Sequence, residues 1–240
     1  MLALLIHIYY ADSWEKIFRQ QLLSLESHHP LVMINLCMDM PAYQEVAVAI
    51  RNEFPKAYVI ATPNIGKDIG GKLALIDLFL KTGQDAAYIA FLHDKVSPHA
   101  ITGDRWRNKL FGIIQPENIA VVESTFQQQP DIGIIGAKDF VANEYDAKKG
   151  EHLTTNGEKL AELARKFNLQ LESYVFIAGT MFWVRSSVIK NFFSKHAPLQ
   201  CREMLEPGNV TDQYQGTYTH SWERMLCWLA TDQGLKIKGI

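Results

Sequence analysis

The feature that most constrains the fold is a regular alternation of short apolar segments with helical segments in the first half of the chain. The apolar segments are residues 3–10, 31–37, 57–61 and 86–92. Their length and continuous apolar character are typical of parallel strands that are buried on both faces. The intervening segments carry apolar residues at helical spacing. This βαβαβαβ order predicts an α/β fold with a mostly parallel sheet, right-handed crossovers and helices on both faces.

The second half of the chain is less regular. We predict a fifth strand over residues 131–137, a polar surface loop over 142–156, a strand over 175–184 and a final helix over 221–231. No repeat or linker divides the chain, so residues 1–240 are expected to form one domain with a modified C-terminal half.

Composition excludes several classes of protein. The chain has 240 residues with 48% hydrophobic and 21% charged residues, which excludes a disordered or fibrous protein. The net charge of -2 does not favour nucleic-acid binding. Three widely spaced cysteines predict neither a disulfide framework nor a zinc site, so a cytoplasmic location is expected. We find no apolar segment of membrane-spanning length, and peripheral attachment to a membrane surface stays open.

Ligands of such folds bind outside the carboxyl ends of the strands. The loop after the third strand reads Thr-Pro-Asn-Ile-Gly-Lys-Asp-Ile-Gly-Gly-Lys over residues 62–72. It nearly matches a phosphate-binding P-loop, except that Leu73 stands where that loop requires Ser or Thr. The glycines are alternatively explained by a tight turn and close packing. The interpretation we favour is an anion site at the start of a helix, where Asn64, Lys67 and Asp68 contact a nucleotide or its sugar.

The fourth strand ends in His93-Asp94-Lys95. A carboxylate at this edge of the sheet is suited to hold Mg²⁺ or Mn²⁺ beside a diphosphate. Lys95 is an alternative cation for the same purpose, and a solvent-exposed strand end is the simpler interpretation. Trp106 and Arg107 come a few residues later, and Arg107 supplies an anion-binding guanidinium.

Two later segments are further candidates. Gly179 and Thr180 interrupt an apolar run, which indicates a close approach of the backbone to a ligand. Trp183 is placed to stack on a sugar ring, and a core strand is the alternative interpretation for Met181 and Phe182. Glu223 follows Trp222 near the start of the last helix. Its carboxylate is interpreted either as a general base or as a partner of the helix dipole.

Taken together, these segments resemble the rhamnan synthesis protein F family. The resemblance rests on Asn-Ile-Gly-Lys-Asp-Ile-Gly at 64–70, His-Asp-Lys at 93–95, Trp-Arg at 106–107 and Ala-Gly-Thr-Met-Phe-Trp at 178–183. It runs from about residue 3 to residue 230. The family is associated with bacterial cell-surface polysaccharide synthesis and is regarded as glycosyltransferase-like, with a nucleotide-binding fold of the GT-A type.

The resemblance implies a nucleotide-sugar-binding half over residues 1–137 and an acceptor-side half over residues 138–240. The implied donor-binding residues are Asn64, Gly66, Lys67, Asp68, Gly70, His93, Lys95 and Arg107. The implied acceptor-binding residues are Gly179, Thr180, Trp183 and Trp222. Glu223 and Asp94 take the catalytic positions, with Asp94 as the ligand of a divalent Mn or Mg ion, although the segment has one acidic residue where GT-A enzymes place two.

We therefore expect a glycosyltransferase that moves rhamnose or another deoxyhexose from a nucleotide sugar, with dTDP-rhamnose as the leading donor. The expected acceptor is a glycan or lipid-linked glycan of a growing surface polysaccharide such as an O-antigen, and the expected location is the cytoplasm or the inner face of the membrane. One alternative is a non-catalytic carbohydrate- or nucleotide-binding subunit of a polysaccharide assembly. The other is a P-loop phosphotransferase.

Overall fold

A computed structural model describes residues 1–94 and 109–240. Its central sheet has seven strands, namely β1 (Leu2–Ile8), β2 (Leu31–Cys37), β3 (Tyr58–Thr62), β4 (Tyr88–His93), β5 (Ile132–Gly136), β10 (Phe182–Arg185) and β11 (Lys236–Gly239). Short strands β6 (Val141–Asn143) and β9 (Val175–Ile177) form one antiparallel pair, and β7 (Tyr145–Asp146) and β8 (Glu151–His152) form another.

The helices alternate with the strands in the first part of the chain, and three of them follow one another between β10 and β11. The helices are α1 (Arg19–Ser24), which follows a π-helical turn over Trp14–Phe18, then α2 (Tyr43–Glu53), α3 (Lys67–Thr82), α4 (Pro116–Gln128), α5 (Gly157–Phe167), α6 (Ser186–Phe193), α7 (Pro198–Arg202) and α8 (Tyr218–Thr231). Residues 109–111 are also helical. Single 3₁₀ turns cover Glu26–His28, Gly112–Ile114 and Lys138–Phe140.

The strand order across the sheet is β11-β5-β10-β4-β1-β2-β3. Strands β1 to β4 are mutually parallel where they pair, which confirms the fold class predicted from the alternation. Among the strands that the structure describes in this sheet, only β10 runs antiparallel to its neighbours, β4 and β5. β1 pairs with β2 on one side and with β4 on the other. After β1 the chain continues to β2, and after β4 it continues to β5 on the opposite side of the sheet. The carboxyl ends of β1 and β4 therefore mark the switch point where ligands bind in such sheets.

Each face of the sheet is covered by its own hydrophobic layer. Ala3 and Leu5 of β1 belong to the layer that contains α3, α6 and α8. Leu4 and Ile6 belong to the other layer, beneath α1, α2 and α4. This alternation follows from the two-residue repeat of a strand, and it confirms that helices lie on both faces.

Two predictions about the second half are wrong. The apolar run 175–184 is not one strand, because Gly179 and Thr180 adopt positive φ angles of 83° and 52° and break it into β9 and β10. The polar segment 142–156 is not simply a surface loop, because it contains short strands and buries Glu144 and Asn156. Residues of both segments therefore pack in the protein interior around the last helix.

No helix within residues 1–94 and 109–240 has the length and apolar character needed to cross a membrane.

Candidate functional site

A small polar pocket lies where the start of α3, the end of β4, the turn before β10 and the first turns of α8 meet. Its lining residues are Lys67, Asp68, Ile69, His93, Gly179, Thr180, Thr219, His220 and Glu223. Its volume of about 60 Å³ gives room for roughly four water molecules. The pocket therefore admits part of one sugar ring, and a larger ligand has to extend beyond it.

The start of α3 is built by a tight turn with close packing. Gly66 has φ of 74°, and a β-carbon there would meet the side chain of Leu205 at 2.1 Å. A β-carbon at Gly70 would lie 1.6 Å from the carbonyl oxygen of Ile65. The packing explanation of these two glycines therefore holds, and it places the neighbouring Lys67 and Asp68 on the pocket.

Gly71 permits a second close approach, between α3 and β1. A β-carbon there would lie 2.2 Å from Nδ1 of His7. His7 is buried, and burial lowers its pKa to about 4, so the imidazole is neutral at pH 7. Its Nδ1 lies 3.0 Å from the amide nitrogen of Asn35, which donates to it. The close approach of Gly71 to His7 sets the distance between α3 and the sheet beneath the pocket.

A fully buried lysine, Lys72, lies behind three of the residues that line the pocket, namely Asp68, His93 and Thr180. The Lys72 ammonium, with none of its side chain exposed, donates to Asp68 Oδ2 and to Thr180 Oγ1 at 2.6 Å each. His93 Nδ1 lies 3.2 Å from the same ammonium. The Thr180 hydroxyl donates to Asp68 Oδ2 at 2.6 Å. Three segments that are distant in sequence are thus joined through one cation.

This arrangement keeps the Asp68 carboxylate ionised. Burial alone would raise its pKa, but the neighbouring Lys72 and His93, together with the hydrogen bonds from Lys72 and Thr180, hold the pKa well below its usual value. Asp68 therefore presents a charged acceptor to the pocket, which suits a sugar hydroxyl better than a phosphate.

The turn between β9 and β10 is tied to the last helix by Glu223. The backbone N–H of Gly179 donates to Glu223 Oε1 at 2.8 Å. The other oxygen, Oε2, accepts from Arg224 at 2.7 Å. Glu223 lies in the second turn of α8, since the helix begins at Tyr218 and not at Ser221 as predicted. The side chain is 20% exposed, and each oxygen retains a second lone pair that can accept a hydroxyl from the pocket.

His220, one turn before Glu223, is the other titratable group of α8 on the pocket. Its Nδ1 lies 2.7 Å from the hydroxyl of Thr217, and its Nε2 lies 3.9 Å from Asp212 Oδ1. Burial lowers the pKa of His220 in spite of the nearby Asp212 carboxylate, which acts in the opposite direction. His220 is therefore mainly neutral at pH 7.

Asp94 directly follows β4 and binds the backbone just beyond the end of β1. Its Oδ2 accepts from the backbone N–H groups of Tyr9 at 2.8 Å and Tyr10 at 2.6 Å, and its Oδ1 accepts from Tyr9 at 3.0 Å. Burial raises its pKa to about 7 despite these hydrogen bonds. Asp94 therefore bridges the diverging ends of β4 and β1, while His93, one residue earlier, points to the pocket.

Within residues 1–94 and 109–240 no group of three or more His, Cys, Asp or Glu side chains is arranged to hold an ion, so the described residues do not by themselves form a divalent metal site. The role of Asp94 as a metal ligand remains a prediction. The predicted donor contacts Lys95 and Arg107 lie outside the described residues.

Asn64 lies two residues after the end of β3 and is not among the residues that line the pocket. It is buried, and its amide nitrogen donates to Asn209 Oδ1 at 3.2 Å. Asn209 in turn donates to the hydroxyl of Tyr9 at 3.0 Å. These contacts join the loops that follow β1 and β3, next to the switch point of the sheet.

The two tryptophans predicted to contact the acceptor are in the core. Trp183 is fully buried and its indole N–H donates to the carbonyl of Ile113 at 2.8 Å. Trp222 is also fully buried, with Phe167 and Phe193 around its ring. The assignment of both rings to the acceptor site is corrected on this ground, because neither ring reaches a surface where a sugar can stack.

The geometry also excludes the P-loop interpretation. Residues 67–72 are the first turns of α3 and form no loop around a phosphate. Lys72, which would contact the phosphates in a P-loop, is instead bound within the protein by Asp68 and Thr180.

Three residues of the site were not predicted in these roles, namely Lys72, Arg224 and Glu144. The signal for Lys72 was present, because it follows Asp68 by four residues on a helix that is otherwise apolar at that spacing. No comparable signal marks Glu144, whose contact with Arg224 spans 80 residues of sequence.

Comparisons with known proteins bear on the family. No curated protein sequence matches the chain. The crystal structure of mouse xyloside xylosyltransferase 1 in its apo form is similar at a TM-score of 0.35 and 9% identity, covering 100% of this chain and 85% of that chain. At that TM-score the likeness carries no argument about fold or activity. The model of the family described as rhamnan synthesis protein F matches residues 1–235. The chain therefore belongs to the rhamnan synthesis protein F family.

Proposed function

We propose that this chain is a glycosyltransferase of polysaccharide synthesis, with a GT-A type arrangement, which moves a sugar from a nucleotide sugar to a glycan or lipid-linked glycan. Membership of the rhamnan synthesis protein F family supports the general class of activity. The observation that carries the proposal is the pocket itself, because Asp68, Thr180 and Glu223 meet there from three distant segments. Rhamnose or another deoxyhexose is the proposed sugar, and dTDP-rhamnose the leading donor.

The proposed reaction is a direct displacement at the anomeric carbon of the donor. Glu223 accepts the proton of the acceptor hydroxyl, whose oxygen then forms the new bond as the bond to the nucleoside diphosphate breaks. Asp68 accepts a hydrogen bond from a hydroxyl of the donor sugar. Lys67, at the start of α3, is the described cation that would stabilise the departing diphosphate.

The test compares Glu223→Gln with wild type and with Glu158→Gln, a change of an exposed glutamate on α5. Release of nucleoside diphosphate from dTDP-rhamnose and other nucleotide sugars is measured with a glycan acceptor. Glu223→Gln keeps the hydrogen-bonding shape but removes the base, so turnover should fall about 10²–10⁴-fold with donor affinity nearly unchanged. Glu158→Gln should match wild type.

Two outcomes would contradict this proposal in different ways. If nucleotide sugars raise the melting temperature but no diphosphate is released, the chain is a non-catalytic binding subunit. If Glu223→Gln transfers sugar at the wild-type rate, Glu223 only holds the Gly179 turn, and His220 with Asp212 becomes the next candidate base.

A further inference from the structure

A buried ion-pair network lies directly behind Glu223. Arg224 donates through one terminal nitrogen to Glu223 Oε2 at 2.7 Å and through Nε to Glu144 Oε2 at 2.9 Å. The arginine side chain is 9% exposed and that of Glu144 is 1% exposed. One guanidinium thus connects the pocket carboxylate to a second carboxylate that is fully inside the protein.

The position of the guanidinium is fixed from several sides. The nitrogen that binds Glu223 also donates to the carbonyl oxygen of His220 at 3.0 Å. The guanidinium carbon lies 4.6 Å from the centre of the Phe176 ring, which packs beneath it. Glu144 is itself held, because it accepts from the backbone N–H of Thr154 at 3.1 Å. A planar guanidinium held in this way keeps each of its donors in a fixed direction.

Stabilisation of the fold does not by itself account for the network. Desolvation of two charges offsets most of their attraction, so buried ion pairs are weak evidence for stability. The network does, however, control orientation. Arg224 holds one oxygen of Glu223 while the Gly179 N–H holds the other, and together they fix the plane of the carboxylate beside the pocket.

We propose that Arg224, anchored by Glu144, is a positioning residue that sets the Glu223 carboxylate for proton abstraction. This inference rests on the proposed function of Glu223. Arg224 is not among the residues that line the pocket, so it acts through Glu223. A misplacement of about 1 Å in a reacting group can cost 10²-fold in rate, which is the scale on which this contact would act.

The experiment is a double-mutant cycle between Arg224→Met and Glu223→Gln, measured as kcat and KM for sugar transfer. Arg224→Met alone should lower kcat by roughly 10–100-fold and leave KM for the donor nearly unchanged. In the Glu223→Gln background, Arg224→Met should cause no further fall, because residues that act as a unit are not additive. Arg224→Lys retains the cation and should recover part of kcat.

Arg185→Met is the matched control. Arg185 is also partly buried and stacks near Phe126, but its nitrogens donate to the backbone carbonyls of Ile132 and Phe126, away from the pocket. The Arg185→Met change should lower the melting temperature without changing kcat of the folded enzyme. If Arg224→Met does not fold, Arg224→Lys replaces it in the cycle with the same expected non-additivity.

The outcomes separate this inference from the proposed function. The positioning role is overturned if Arg224→Met lowers kcat by the same factor in the wild-type and the Glu223→Gln backgrounds. It is also overturned if Arg224→Met has the wild-type kcat. In both cases the proposed function stands. Absence of transfer by the wild type overturns the proposed function, and full activity of Glu223→Gln overturns the base. Either result removes the positioning role as well.

Discussion

Replacement of Lys72 by methionine is the sharpest test of the polar cluster beneath the pocket. Methionine fills similar space but leaves the Asp68 carboxylate without the ammonium that lies 2.6 Å from its Oδ2. Breaking a buried pair by removing one partner costs about 3–5 kcal/mol, because the remaining charge is uncompensated. Asp68 is 21% exposed and retains the Thr180 hydroxyl, so we take the lower end, about 3 kcal/mol.

The same helix supplies a matched control. Lys81 forms the same i,i+4 pair with Asp77 at 2.8 Å, but its side chain is 68% exposed. Lys81→Met should therefore change the free energy of unfolding by less than about 0.5 kcal/mol. Urea unfolding of wild type and both variants at pH 7 measures the difference. If the Lys72 variant loses no more stability than the Lys81 variant, the cluster is not the buried ion pair that we describe.

The pH dependence of the stability lost in Lys72→Met tests whether the Asp68 carboxylate causes that loss. In the wild type, the Asp68 pKa is lowered from 3.8, so its contribution to stability is present above that pH and is lost as the pH falls through the folded-state pKa. Without Lys72, burial favours the protonated acid. The deficit of Lys72→Met should therefore be largest at pH 7 and shrink as the pH is lowered towards 3.8. Adding Asp68→Asn should recover most of the loss at pH 7, and failure to do so would assign the loss to packing.

Two further predictions concern packing and metal dependence. Gly71→Ala should lower the free energy of unfolding by about 1–3 kcal/mol, because its β-carbon would meet His7 at 2.2 Å, whereas Gly112→Ala meets nothing within 4 Å and should be near neutral by the same denaturation assay. Asp94→Asn should cost about 1–3 kcal/mol, because an amide group would face the backbone donors that the carboxylate now satisfies. The same variant tests the metal prediction, since Mn²⁺ that raises the melting temperature of wild type but not of Asp94→Asn would make Asp94 a ligand.

The parallel half of the sheet could be predicted because its signals are local. A short apolar run followed by a helical stripe implies a parallel strand wherever it recurs, and β1 to β4 follow that rule. The antiparallel β10 could not be predicted in this way. Its apolar run is continuous with β9, and the break depends on the backbone angles of Gly179 and Thr180, which are held by contacts from α3 and α8.

The site was predicted in part for the same reason. Polar residues that directly follow a strand or start a helix, such as Asp68 and His93, are visible in the sequence and do reach the pocket. Burial is not visible residue by residue, so Trp183 could be interpreted as a sugar platform although it is fully buried. Long-range pairing is not visible either, and the contact of Glu144 with Arg224 appears only in the folded chain.

The backbone at Thr180 provides an independent reason to place function in this pocket. A β-branched residue with φ of 52° is a genuine outlier, because its side chain clashes with its own backbone in the left-handed region. Such strain costs of order 1–3 kcal/mol and persists only where surrounding contacts hold it. Here the contacts are polar, since the Thr180 hydroxyl bonds Lys72 and Asp68 while Glu223 holds the preceding N–H. The strained turn at Thr180, the buried ammonium of Lys72 and the candidate base Glu223 therefore depend on one another. A substitution of any of the three should alter the shape of the pocket.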